Sequence, residues 1–148
     1  MSFRVIATSD NHLGRYQSRM PTRIMEERRK RLWQALGQVI AYAIEEQAHL
    51  LVLAGDVFDT PNPRNSDRVY LARQLRDLER AGVSVVAIGG NHDTPRSVTE
   101  QGGYPSLTIY AELEALIFFD QLPLDDPVVH PVIFQAMRSP HSDRSKIG

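Results

Sequence analysis

Three short apolar runs, each giving way at once to a polar cluster, constrain this chain more than any other feature. Residues 3–8 lead into Asp10-Asn11-His12, residues 49–54 into Gly55-Asp56-Val57-Phe58-Asp59, and residues 83–88 into Gly89-Gly90-Asn91-His92-Asp93. The middle run is apolar without alternation after its first residue, as a strand buried on both faces of a parallel sheet requires. Between the runs the period changes. Met25, Leu32, Leu36, Val39, Ile40, Ala43 and Ile44 recur at helical spacing and predict an amphipathic helix from Ile24 to about Gln47. Gly37 falls inside that helix, at a cost of about 1 kcal/mol against alanine. Val69, Leu71, Leu75 and Leu78 predict a second helix, with Ser66 as a candidate cap and Gly82 closing it. A weaker helix over 105–116 and a strand over 116–119 follow. Strands alternating with helices predict an α/β domain with a largely parallel sheet.

That topology fixes where the polar clusters go. Open α/β sheets bind ligands outside the carboxyl ends of their strands, so three parallel strands deliver all three clusters to one rim. The rim then offers carboxylates from Asp10 and Asp56, an amide oxygen from Asn91, and imidazoles from His12 and, as a further candidate, His92. This sulfur-free donor set suits Mn²⁺, Mg²⁺, Fe²⁺ or Zn²⁺. Asp10 and His12 are two residues apart, and an extended backbone would point them the same way. One carboxylate such as Asp56 can bridge two ions, and two ions about 3.5–4 Å apart clamp a phosphoryl group. Gly55 and the Gly89-Gly90 pair would let the chain turn sharply beside metal or substrate. A single aspartate after a strand is usually just a turn residue. Three such clusters in order, at successive strand ends, argue for a site.

Composition narrows the class of function. A chain of 148 residues is long enough for one domain with a real core. Its net charge of -1 gives no global field for nucleic acid, so any such surface must be local. The absence of cysteine excludes disulfides, thiolate metal sites and a cysteine nucleophile. With no signal-like N-terminus and no apolar run of membrane-spanning length, the expectation is a soluble cytoplasmic protein. No internal repeat is visible. Beyond Asp120 the pattern decays into prolines and charges, giving the expectation of a folded unit over 1–136 and a disordered tail over 137–148.

Asp10-x-His12, Gly55-Asp56-x-x-Asp59 and Gly89-Gly90-Asn91-His92-Asp93 together resemble the signature of the calcineurin-like metallophosphoesterases, over roughly residues 4–95. The resemblance implies one half of a two-sheet sandwich flanked by helices, a βαβαβ unit truncated on its C-terminal side. It implies Asp10 and His12 as ligands of a first metal, Asp56 as the bridging carboxylate and Asn91 as a ligand of the second. His92 would contact the phosphate and protonate the leaving oxygen, with Asp93 as its orienting partner. The wording around the motifs is similar to the DNA repair exonuclease branch, bacterial SbcD and its double-strand-break counterparts. That branch implies manganese-dependent cleavage of DNA, an SMC-like (SbcC-like) ATPase partner and a homodimer. One departure stands out. The later histidines that complete the family's site have no match here, since His130 and His141 lie in other contexts. A weak or inactive truncated chain is the resulting expectation.

Other residues have a plainer reading beside the functional one. Arg15, Arg19, Arg23, Arg28, Arg29, Lys30 and Arg31 supply seven of the chain's 17 basic residues. Arg15, Arg19 and Arg23 are candidates for contact with the DNA backbone, although charge runs are usually solvated faces. Asp59 is expected to hydrogen-bond within the loop presenting Asp56. His49, at the opposite end of its strand, is expected to be structural. Trp33 and Tyr42 are expected to pack rather than stack on bases, while Tyr16 and Phe58 could meet a base. Two alternatives remain beside the nuclease: a phosphomonoesterase or cyclic-nucleotide phosphodiesterase with the same metals, and a non-catalytic DNA-binding or dimerisation fragment.

Overall fold

A computed structural model describes residues 2–119. The strands β1 (Val5–Thr8), β2 (Leu50–Ala54), β3 (Ser84–Ile88) and β4 (Ile117–Phe119) form one parallel sheet in the order β1-β2-β3-β4. The helices α1 (Thr22–Glu45) and α2 (Asn65–Ala81) and the short α3 (Thr108–Glu112) connect them, with a 3₁₀ turn at Glu100–Gly103. Parallel neighbours in sequence order follow the right-handed crossover rule when their helices share one face, and α1 and α2 touch. The register aligns Ile6 with Leu51 and Val85, and Thr8 with Leu53 and Ala87. These strand ends are therefore level, and the chain leaves the sheet three times along one rim. The expected tail over 137–148, the boundary at 136, His130 and His141 lie outside the described residues.

Apolar spacing explains the core. Leu36, Ile40 and Ala43 of α1 and Leu71, Leu75 and Leu78 of α2 are buried against Leu51, Leu53, Val85 and Ala87 of the sheet. Each fully buried leucine contributes roughly 1.5–3 kcal/mol relative to an exposed one. Gly82 ends α2 in the left-handed region at φ 80°, and the N–H groups of Gly82 and Val83 satisfy the carbonyls of Glu79 and Leu78. Gly37 has a packing reason: a Cβ there would lie 2.9 Å from the Tyr70 hydroxyl, which crosses from α2. That hydroxyl donates to the Trp33 carbonyl, and the Trp33 and Tyr70 rings stack at 4.9 Å.

Several expectations are corrected. Helix α1 begins at Thr22, with Pro21 as its N-cap at φ -56° and ψ 141°. Ser66 lies inside α2, whose N-cap is Arg64. The third helix is only the five residues of α3. Tyr42 is exposed rather than packed, on the outer face of α1. His49 accepts the Arg4 backbone N–H at 3.1 Å, away from the rim. Among the described residues, no helix is long and apolar enough to cross a membrane.

Candidate metal centre

The first two polar clusters are held together by their backbones. Past the end of β1, the N–H groups of Asp10, His12 and Leu13 donate to the carbonyls of Gly55, Asp56 and Val57, and the Asp59 N–H returns to the Leu13 carbonyl. The β1–β2 pairing thus continues into the loops, and Leu13 bridges Phe58 with both side chains buried. The backbone there is not extended, as two-residue spacing suggested. Asp10, His12 and Asp56 have φ of 55°, 45° and 50°, three of the six non-glycine residues with positive φ among the described residues. Each such conformation costs on the order of 1 kcal/mol or more and persists only where its surroundings enforce it.

The strained positions bring three donors together. The ligand atoms of Asp10, His12 and Asp56 all lie within 4.8 Å of one another. His12 Nε2 is 3.7 Å from Asp10 Oδ1 and 4.0 Å from Asp56 Oδ2. Donors around an ion with bonds of about 2.1 Å stand roughly 3.0–3.4 Å apart, so side-chain shifts of under about 1 Å would close the set. The donor chemistry and the spacing both fit a divalent ion.

Asp59 lies closer to the chemistry than a loop brace would. Its Oδ1 is 2.9 Å from His12 Nδ1 and 3.8 Å from His92 Nδ1. The His12 contact is short but off the ring N–H direction, so this buried nitrogen has no directed hydrogen bond. His92 Nδ1 also lies 3.2 Å from the Asp59 carbonyl oxygen, and the two imidazoles meet edge-on at 4.8 Å. With the Asp59 carboxylate beside Nδ1, His12 turns Nε2 toward Asp10 and Asp56.

The third cluster grips Asp56 from the other side. The His92 N–H donates to Asp56 Oδ1 at 2.9 Å. Gly90 packs so closely that a Cβ there would stand 2.1 Å from Asp56 Oδ1 and 2.3 Å from its backbone nitrogen. Asn91 sits between these two residues with its side chain exposed. Asp93 corrects an expectation: it is not placed to orient the His92 ring. Its side chain is fully buried, with Oδ2 accepting from Val57 N–H at 2.8 Å and Oδ1 from Gly90 N–H at 2.7 Å. Burial pushes its carboxyl above the usual range, the N–H groups of Gly90, Val57 and Phe58 oppose that, and the charge of Asp56 adds to it. Asp59 occupies the place beside the ring instead.

One further buried carboxylate left no sign in the sequence. Asp67, in the first turn of α2, is fully buried, and its Oδ1 accepts from Trp33 Nε1 at 2.8 Å. Its Oδ2 has no hydrogen-bond partner among the described residues and faces Gly14, where a Cβ would stand 2.6 Å away. An aspartate in the first turn of a predicted helix reads as a dipole partner, and nothing in the sequence joins it to Trp33.

The basic stretch divides in two. Arg23 pairs with Glu27, Arg29 with Glu26, and Arg28 donates to Gln17. Arg15 and Arg19 are exposed and make no ion pair or side-chain hydrogen bond among the described residues.

The family model described as calcineurin-like phosphoesterase matches residues 3–144. The chain belongs to this family. It is also similar to individual members. It is 30% identical over 96 residues to the DNA double-strand break repair protein Mre11 of Sulfurisphaera tokodaii, covering 65% of this chain and 24% of that protein. It is 37% identical over 93 residues to the protein of the same name from Haloferax volcanii, covering 63% of this chain and 20% of that protein. One component of the nuclease SbcCD of Escherichia coli is 32% identical over 98 residues, covering 66% of this chain and 23% of that protein. The chain thus spans about a quarter of the length of these relatives. The family uses divalent metals, and the described groups that could hold one lie at the rim at the carboxyl ends of β1, β2 and β3.

Proposed function

We propose that this chain contributes the first half of a two-metal site for hydrolysing DNA phosphodiesters, with weak or no activity by itself. The observation that carries the reading is the convergence of the Asp10, His12 and Asp56 donors within 4.8 Å on strained backbone. Asp10 and His12 would hold one ion, Asn91 a second, and Asp56 would stand between them. Manganese is the ion proposed, with magnesium, iron or zinc as alternatives. When bound, the ions would supply Lewis-acid charge to the phosphate and its attacking water. The residues do the rest. Asp59 keeps His12 Nε2 toward the Asp10 and Asp56 carboxylates and steadies His92 through its carbonyl. The exposed His92 ring can touch a phosphate oxygen and pass a proton to the departing sugar oxygen. Asp93 sets the loop that presents both.

DNA is favoured over a monoester by the names of the relatives and by the uncommitted Arg15 and Arg19. An SbcC-like SMC-type ATPase and a second copy of the chain are proposed partners on the same ground. Calorimetric titration with Mn²⁺, beside Asp56→Asn, tests the reading. Weak binding of one ion, lost in the variant, is expected. Binding of two ions tightly would show a site already complete, and binding unchanged by Asp56→Asn would overturn the ligand assignment.

A further inference from the structure

At the entry to α1 the chain forms an open groove of about 650 Å³, lined by residues 16–21 and Ile24. Tyr16 is 63% exposed there and Ile24 50%. Single exposed apolar residues need no explanation, but this pair shares one groove, and the loop is tied down rather than loose. The Arg15 N–H donates to the His12 carbonyl and the Met20 N–H to the Gln17 carbonyl. The Gln17 N–H meets Met25 Sδ at 3.4 Å, and Arg28 holds the Gln17 side chain at 3.0 Å. Below the ring, the Arg29 guanidinium stands 6.0 Å from the Tyr16 centroid and is itself anchored by Glu26 at 2.9 Å. Tyr16 is thus an aromatic ring held in place with most of its surface presented to solvent.

The surroundings say what would cover it. From Asn11 to Met25 the chain has no acidic residue and three arginines, Arg15, Arg19 and Arg23. Arg15 and Arg19 are exposed to either side of Tyr16 in the chain, and Arg19 lines the groove itself. An ordered aromatic ring flanked by cations matches a strand that is anionic along its backbone and flat at each base. Location agrees. Tyr16 follows His12 by four positions, so their Cα atoms lie within about 14 Å of each other, a few nucleotides along a strand.

We propose that this groove takes an unpaired nucleobase of a single DNA strand, stacked on Tyr16, while Arg15 and Arg19 hold the neighbouring phosphates. The inference rests on the DNA reading above and names the form of DNA: a strand with free bases. In a duplex, bases are already stacked on one another and Tyr16 has nothing to cover.

Fluorescence anisotropy with the whole chain in chelator tests it, using labelled oligothymidylate, an abasic strand of equal length, and a duplex. Thymidylate is expected to bind about tenfold more tightly than the abasic strand, the worth of one stacked base. Tyr16→Ala should abolish that difference while leaving abasic affinity unchanged, and Tyr16→Phe should preserve it. Arg19→Ala should weaken both strands and flatten their salt dependence. Equal affinity for thymidylate and abasic strands would overturn the proposal. So would a preference that survives Tyr16→Ala, or a duplex bound as tightly as the single strand. Chelator removes the metal from the experiment, so these results stand apart from the manganese titration.

Discussion

The Asp93 carboxylate accepts a 2.8 Å hydrogen bond from the backbone N–H of Val57, the residue after Asp56. Its other oxygen takes the N–H of Gly90. One buried side chain therefore ties the loop after β2 to the loop after β3. Asp93→Ala would leave both N–H groups without that acceptor, so a loss of about 3 kcal/mol is expected from urea unfolding. Mn²⁺ affinity should fall with it. Wild-type stability in the variant would show that the two loops hold each other without this link.

Gly90 has no room for a side chain against Asp56. Gly90→Ala should push the two loops apart and reduce Mn²⁺ binding at least tenfold, with a destabilisation of about 1–3 kcal/mol. Calorimetry beside a thermal melt separates the two effects. Retained metal affinity would mean that Asp56 can retreat without leaving the site.

Trp33 is the hydrogen-bond donor on buried Asp67, whose other oxygen lies against Gly14. Trp33→Phe keeps an aromatic ring beside Tyr70 but removes that donor, and should cost about 3 kcal/mol. Asp67→Asn keeps an acceptor for the indole, so it should cost far less. Denaturant unfolding of the two variants decides the point, and equal losses would contradict it.

The Tyr110 hydroxyl donates to the Arg68 carbonyl at 2.9 Å, and burial pushes its pKa up to about 12, opposed by Arg68 and reinforced by Asp67. The folded value is raised, so its contribution is complete below the ordinary value of 10 and is lost as pH rises through 12. Tyr110→Phe should cost about 1 kcal/mol at neutral pH and lack that part of the alkaline loss. Parallel wild-type and variant profiles from about pH 9 to 12 would refute the assignment.

The sheet and the rim were legible because strand burial and strand-end clusters are local patterns. Leu50–Ala54 and Ser84–Ile88 are apolar runs with glycine at their exits, and nothing nearby competes with that signal. Partnerships were not legible. That His92 meets Asp59 rather than Asp93 depends on which way a tight turn points a side chain, and adjacency in sequence suggested the reverse. The positive φ of Asp10 and His12 was hidden for a related reason: neither residue type demands that conformation. The Trp33–Asp67 bond joins positions 34 residues apart, linked only by the packing of α1 on α2.

The left-handed backbone at Asp10, His12 and Asp56 has a consequence for engineering. A library of this chain sorted only for heat resistance would be drawn to glycine at these positions, where it removes strain and separates carboxylate from carboxylate. The hardiest survivors would keep the sheet and lose the proposed metal ligands. Screening for robustness therefore needs metal uptake as a second criterion, or it will select against the chemistry it is meant to preserve.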